Sequence, residues 1–338
     1  MPSVSAEAPG AGSTMTDDIA VTDAKVLIPE GISVRVRVPA SSANLGPGFD
    51  CLGVALGIYD EVIVETTADG IEVEVAGQAA DEVPHDGSHL VARAIARGLS
   101  AGGVIAPGLK LRCVNAIPHS RGLGSSAAAA VSGLAAASGL LAEAGIRPPF
   151  DPDELVQLSS EFEGHPDNAA ASVLGSAVVT WTEQGGAGST PENRYRARRL
   201  VVHPDITATV FVPDTESSTS FTRGLLPDSV PRHDAIFNVS RAALAVVALT
   251  ADPTALFAAT ADRLHQGYRA EAMAPTAALV AELRERGYAA TVSGAGPTVL
   301  VLSIGPVPGD VREVAAASGF VASTVAIAGG VEITRSSD

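Results

Sequence analysis

Apolar and polar residues alternate strictly along Ile32-Ser33-Val34-Arg35-Val36-Arg37-Val38. A period of two sends successive side chains to opposite faces, so this run predicts a half-buried strand. Residues 61–65 and 71–75 repeat the alternation and predict hairpins or a meander. Helical spacing follows at 90–99, a further strand at 110–114, and a long alanine-rich helix from Ala127. Residues 153–162 predict a helix capped by Asp151 or Asp153. Residues 173–181 read as a strand, the polar stretch 184–199 as a loop or edge hairpin, and 206–212 as a strand. A strong helix is expected over 236–250, with Asn238, Ser240 and Arg241 on its polar side. Helices over 256–264 and 276–286, a strand over 298–303 and an apolar run at 321–328 complete the chain. Strands and helices mix without regular βαβ alternation, which predicts an α+β fold.

Length and charge narrow the picture. A chain of 338 residues, 46% of them hydrophobic, suffices for two domains or one large one. The net charge of −16 argues against nucleic acid as a partner and equally against an anionic membrane. Cys51 and Cys113 are the only cysteines, too few for a disulfide framework, and fit a reducing compartment. No basic segment followed by an apolar core opens the chain, so a cytoplasmic location is expected. The run 127–142, interrupted by Ser132, Gly133, Ser138 and Gly139, is shorter than the roughly 20 apolar residues of a membrane span and is read as a buried helix. Residues 1–32, rich in Ser, Ala, Gly, Thr and Asp, are expected to be a disordered extension.

The candidate chemistry begins at Pro118-His119-Ser120-Arg121-Gly122-Leu123-Gly124-Ser125-Ser126-Ala127, between the strand at 110–114 and the alanine-rich helix. The first N–H groups of a helix lack internal partners and carry partial positive charge. A glycine- and serine-rich turn opening a helix can therefore cradle phosphate, although on its own it also reads as a plain connector. The loop has no lysine, and the chain holds only Lys25 and Lys110. Phosphate charge would fall to backbone N–H groups, serine hydroxyls, Arg121 and a metal.

Other segments bear on this. Pro39 through Gly53 forms a polar, turn-rich stretch carrying Asn44 and Asp50, which could order a turn or hold a polar substrate. Glu161-Phe162-Glu163-Gly164-His165-Pro166-Asp167-Asn168 ends a helix with a histidine and with carboxylates, the hard oxygen ligands that Mg²⁺ takes. Ser293-Gly294-Ala295-Gly296-Pro297-Thr298 precedes an apolar strand.

In this order, P-x-x-S-A-N-L-G-x-G-F-D, P-x-x-x-G-L-G-S-S-A and S-G-x-G-P-T resemble the motifs of the GHMP small-molecule kinases. E-G-H-P-D-N at 163–168, and the stretch from Val212-Pro213-Asp214 through Ser218-Thr219 to Arg223, resemble the branch of that family that phosphorylates homoserine. The resemblance spans about 34–328. It implies a two-domain α+β kinase with its active-site cleft between the domains, split at about 33–182 and 183–332 with a short tail at 333–338. It implies transfer of the γ-phosphoryl group of ATP to the hydroxyl of L-homoserine, with Mg²⁺, and suggests a homodimer. The other readings are a GHMP kinase for a mevalonate- or sugar-like alcohol and a non-catalytic binding protein of the same fold.

Carried onto this sequence, the resemblance gives Pro118, His119, Ser120, Arg121, Gly122, Leu123, Gly124, Ser125 and Ser126 to ATP. It gives Ser126 and Glu161, with Glu163 as the alternative, to Mg²⁺. Asn44, Asp50, His165, Asp167, Asn168, Arg223 and Arg269 would bind the amino-acid substrate, and Asp167 and Arg121 are the catalytic candidates. Arginine suits a substrate carboxylate because its fork binds bidentately. The chain departs from the family at Gly267, where proline is usual, at Ala169-Ala170-Ala171 and at His89, where an asparagine would be expected near adenine. His85 and His89, four apart, form a weaker metal pair.

Overall fold

The strand that the alternation opens runs well past Val38, twelve residues in all, and its second half, buried from Val38 to Asn44, carries the first polar motif. The computed structural model describes residues 26–185, 193–217 and 222–336. Its strands are β1 (Val26–Leu27), β2 (Ser33–Asn44), β3 (Gly48–Thr67), β4 (Gly70–Gly77), β5 (Val104–Ile105), β6 (Gly108–Asn115), β7 (Ala177–Gln184), β8 (Asn193–Leu200), β9 (Ile206–Pro213), β10 (Ala289–Val292), β11 (Val299–Ile304), β12 (Phe320–Val325) and β13 (Glu332–Arg335). Its helices are α1 (Leu90–Ala101), α2 (Ser125–Glu143), α3 (Pro152–Glu163), α4 (Asp167–Leu174), α5 (Arg232–Thr250), α6 (Leu256–Ala259), α7 (Gln266–Arg269), α8 (Ala274–Glu285) and α9 (Gly309–Ala317).

The first sheet runs β13-β2-β3-β6-β4, with β7 and β8 joined through β3. Its inward-facing Val34, Val36, Val38, Val62, Val64 and Leu111 meet the helices α1 and α2 in one large core. The second sheet, β10-β11-β9-β12, is antiparallel and packs Phe211, Val299, Val301 and Phe320 against Leu279 and Leu283 of α8 and Val311 of α9. The fold is α+β, as expected. Helix α2 is long and apolar enough to cross a membrane by composition, but it lies in this core with Val131, Leu134, Leu140 and Leu141 fully buried.

Several elements differ from expectation. Residues 1–25 of the expected extension lie outside the described residues. Its remainder is folded: β1 runs parallel to β5 and Ile28 is buried. The strand expected over 173–181 starts only at Ala177, because Val173 and Leu174 complete α4. Gly175 and Ser176, both at positive φ, turn the chain between them. Asn238 does not join a solvent face but is buried at 2% exposure. The helix expected over 256–264 stops at Ala259. Residues 333–335 are not tail, since β13 pairs with β2 from Glu332↔Arg37 to Arg335↔Val34. β8 likewise pairs with β7, so the first sheet takes strands from beyond residue 182.

Candidate active site

β2 and β3 meet in a tight turn whose Asn44 and Leu45 both have positive φ. Asparagine tolerates that conformation, and its side chain here is spent on backbone. Asn44 Nδ2 donates to the Gly294 carbonyl at 2.9 Å, and its Oδ1 accepts the Asp50 N–H at 3.1 Å. Asn44 therefore lines the cleft chiefly as a staple between the first motif and the loop at 293–298.

The phosphate loop closes against the same staple. Gly124, at φ 71°, is the N-cap of α2. A Cβ there would meet the Ser41 hydroxyl and the Asn168 side chain, so only glycine fits. Ser293 Oγ donates to the Gly122 carbonyl at 2.6 Å, and the Thr298 N–H reaches the Arg121 carbonyl at 3.3 Å. These bonds hold the loop from the second sheet's side, with the start of α2 open to the cleft.

Beside it lies the acidic segment. α3 ends at Glu163, Gly164 turns the chain at φ 77°, and α4 begins at Asp167. Glu163 Oε2 accepts the Ser126 hydroxyl at 3.1 Å, which joins this segment to the phosphate loop. The preferred metal candidate, Glu161, is directed elsewhere: it pairs with Arg97 at 2.9 Å. Two residues along a helix rotate a side chain by about 200°, so the two glutamates cannot share a face. His165 Nδ1 meets Asp167 Oδ1 at 2.8 Å, and the same oxygen accepts the Asn168 N–H at 2.8 Å. Burial alone would lower the His165 pKa, but that hydrogen bond and the charges of Asp167, Glu163 and Asp50 raise it. Asn168 Oδ1 takes the Ser41 hydroxyl at 3.0 Å.

The cations complete the cleft. Arg223 forks onto Asp50, with Nη1 to Oδ2 at 2.8 Å and Nη2 to Oδ1 at 2.7 Å. Arg269, only 2% exposed, donates its Nε to the Thr222 carbonyl at 3.1 Å. Both guanidinium carbons approach the Phe49 ring, at 5.3 and 5.4 Å from its centre. Phe49 is a site residue that sequence reasoning missed, although its place beside Asp50 in the first motif marked it.

Together these side chains line a cleft of about 260 Å³ that includes Asn44, Asp50, Gly122, Gly124, Ser125, Ser126, Glu163, His165, Asp167, Asn168, Arg223 and Arg269. His119 and Ser120 also line it; Pro118, Arg121 and Leu123 do not. Leu123 is core, and Arg121 faces Glu216 at 3.0 Å and its own loop at the His119 carbonyl, at 3.3 Å. Arg121 is thus not placed to touch a reacting group. Ser218 and Thr219 of the quoted motif lie outside the described residues. A neighbouring cavity of about 190 Å³ shares His119, Ser125 and Ser126 and is lined mainly by Val62, Val83, Leu90, Val91, Ile117 and Ala129. Asp60 lies at its edge; burial raises its pKa to about 6, against the lowering effect of the Ile117 and Ala116 N–H groups it accepts. His89 joins that lining and caps α1, its Nδ1 accepting the Val91 N–H at 3.3 Å. His85 instead bonds the Ala80 carbonyl, so the two histidines form no metal pair. Among the described residues the one group of three or more His, Cys, Asp or Glu side chains that could share an ion is Asp50, His165 and Asp167.

Comparison with known proteins shows what the chain resembles. Residues 89–176 match the model of the GHMP kinases N terminal domain, and 246–319 that of the GHMP kinases C terminal. The chain is 58% identical over 309 residues to a homoserine kinase of Rhodococcus erythropolis, covering 91% of this chain and 98% of that one. It is 56% identical over 309 residues to a homoserine kinase of Mycolicibacterium smegmatis, covering 91% and 96%. Among solved structures, a homoserine kinase from Cytophaga hutchinsonii superposes with a TM-score of 0.75 at 22% identity, covering 89% of this chain and 97% of that one. A putative homoserine kinase from Listeria monocytogenes superposes at 0.65 and 30% identity, covering 90% and 100%.

Proposed function

We propose that this chain, which belongs to the GHMP kinase family, is a homoserine kinase that transfers the γ-phosphoryl group of ATP to the side-chain hydroxyl of L-homoserine. The observation that carries the reading is one cleft lined by a helix-start phosphate loop together with Asp50, Asp167, Arg223 and Arg269. That pattern of charge complements a zwitterion next to a phosphate.

ATP lays its phosphates along Gly122–Ser126 at the start of α2, where unpartnered N–H groups and the helix dipole meet their charge. The adjoining apolar cavity takes the adenine. Ser126 Oγ and the Glu163 carboxylate offer the hard oxygens that Mg²⁺ prefers, and the ion would neutralise charge on the transferred group. Homoserine sets its carboxylate on Arg269 and Arg223 and its ammonium towards Asp50. Asp167 uses one oxygen for His165 and Asn168, which leaves the other to orient the acceptor hydroxyl.

Phosphoryl transfer passes through a loose transition state, so positioning and charge neutralisation carry most of the catalysis. The product follows directly: ³¹P NMR of a reaction with ATP, Mg²⁺ and L-homoserine is expected to show a phosphomonoester together with ADP. Inorganic phosphate in its place would contradict the assignment. A cytoplasmic location, a homodimeric state and a place in threonine biosynthesis accompany this reading.

A further inference from the structure

A buried polar network outside the cleft reaches one of its arginines. Asp262 accepts the N–H groups of Leu264, His265 and Gln266, at 3.0, 3.0 and 2.8 Å, which sets the start of α7. Asn238 of α5 donates to Asp262 Oδ1 at 2.8 Å and to the Pro47 carbonyl at 3.3 Å. His265, wholly buried, sits between the first motif and Arg269. Its Nε2 lies 2.7 Å from the Gly46 carbonyl and its Nδ1 3.3 Å from Arg269 Nη1. Gly46, at φ 87°, packs so closely on the Thr260 backbone that a Cβ would strike its carbonyl.

The chemistry of these partners fixes the tautomer. A carbonyl only accepts, so Nε2 carries the hydrogen. A guanidinium only donates, so Nδ1 is bare. His265 is therefore neutral, donating to the turn of the first motif and accepting from Arg269. Burial lowers its pKa, the largest influence, while Asp262, the Gly46 carbonyl and Asp50 pull it up and Arg269 lowers it further. With Nε held by the Thr222 carbonyl and Nη1 by His265, the Nη2 of Arg269 has no acceptor among the described residues and is left for the cleft.

We infer that His265 is a positioning residue: as a neutral Nε2–H imidazole it ties Arg269 to the Gly46 turn and so sets the guanidinium that receives the substrate carboxylate. The inference rests on the reading of Arg269 as a homoserine ligand. Removal of an acceptor from a charged donor acts on ground-state binding, so the effect falls on KM for homoserine rather than on ATP.

The test compares His265→Ala and His265→Gln in the full-length enzyme. His265→Ala is expected to raise KM for homoserine by about 10- to 100-fold, the scale of one hydrogen bond to a charged group, with KM for ATP within about twofold. His265→Gln, whose amide both donates and accepts, is expected to recover most of that loss. A folded His265→Ala enzyme with unchanged KM for homoserine, or equal losses in both variants, overturns the inference. Imidazole ¹⁵N correlation spectra of the wild-type protein, with His265 assigned by its loss in His265→Gln, test the tautomer without relying on the alanine variant. A protonated Nε2 and bare Nδ1 are expected between about pH 6 and 8, although an unperturbed histidine titrates there. An imidazolium or an Nδ1–H tautomer contradicts it. A wild-type enzyme that ignores homoserine would strike the proposed function and leave the tautomer standing.

Discussion

Arg223 closes on Asp50 with both arms of its guanidinium, at 2.7 and 2.8 Å, across 173 positions of sequence. The hydrogen bond to Asp50 raises the Arg223 pKa further, so the guanidinium stays charged. The pair presents a fixed cation beside a fixed carboxylate, the two charges that an amino-acid head group needs. Side-chain exposures of 41% and 35% mean that the pair adds little to stability. Its value lies in orientation.

Arg223→Lys should therefore lose binding without loss of fold. An ammonium cannot reproduce the fork, and KM for homoserine is expected to rise about 10- to 100-fold. The melting temperature should stay within about 2 °C of wild type, as for other exposed ion pairs. Unchanged KM would separate this pair from the substrate.

Glu163→Gln should raise the Mg²⁺ requirement and lower turnover by about 10- to 100-fold, the scale of a lost metal-site group. Glu161→Gln, which touches only the contacts with Arg97 and Gln157, should change turnover less than about twofold, as for most surface positions away from a site. Magnesium titrations of the two variants side by side decide between them. The reverse order would restore Glu161 as the ligand.

Gly124→Ala should disable the phosphate loop. A left-handed alanine costs about 1–3 kcal/mol, and its Cβ has Ser41 and Asn168 in its way. KM for ATP should rise more than KM for homoserine, read from initial rates with each substrate varied in turn.

His165 gives a pH signature. Its folded pKa lies above the ordinary 6.5 because the Asp167 bond and the neighbouring carboxylates outweigh burial. The stabilisation from His165–Asp167 is thus full below about pH 6.5 and fades as pH rises through the raised folded pKa. The melting-temperature gap between wild type and His165→Asn should shrink by about 2–4 °C between pH 6 and 9 for each 1 kcal/mol lost. A gap that widens with pH would reverse the sign.

Asp167→Asn keeps an acceptor oxygen but no base. If the loose transition state needs only orientation, the variant keeps most of its turnover. A loss of about 10²-fold or more in kcat would instead assign Asp167 proton transfer.

Much of the site was legible because its chemistry depends on residue type in the chain's own order. Gly122 to Ser126 had to open a helix, and E-G-H-P-D-N had to end one; the helix α4 that it also opens was not expected. What escaped was phase and partnership. Glu161 and Glu163 are equivalent in a motif, and only the last turn of α3 before Gly164 decides which faces Ser126. Asn44 reads alike as a turn residue or a ligand, and its two side-chain bonds show the first role. The apolar residues Val173 and Leu174 fit either element, and the positive-φ pair Gly175–Ser176 separates them. β13 is invisible locally, since its four residues become a strand only through backbone bonds to β2, far away in sequence. His265 belongs to none of the motifs, and only its partners Gly46 and Arg269 give it a role.

The most direct measurement is Mg²⁺-dependent ADP release from ATP by the purified protein, with L-homoserine beside mevalonate, galactose and L-serine. Release with homoserine alone is the predicted result. Release with one of the other alcohols and none with homoserine, or no release with any of them from protein that binds ATP, would contradict the assignment.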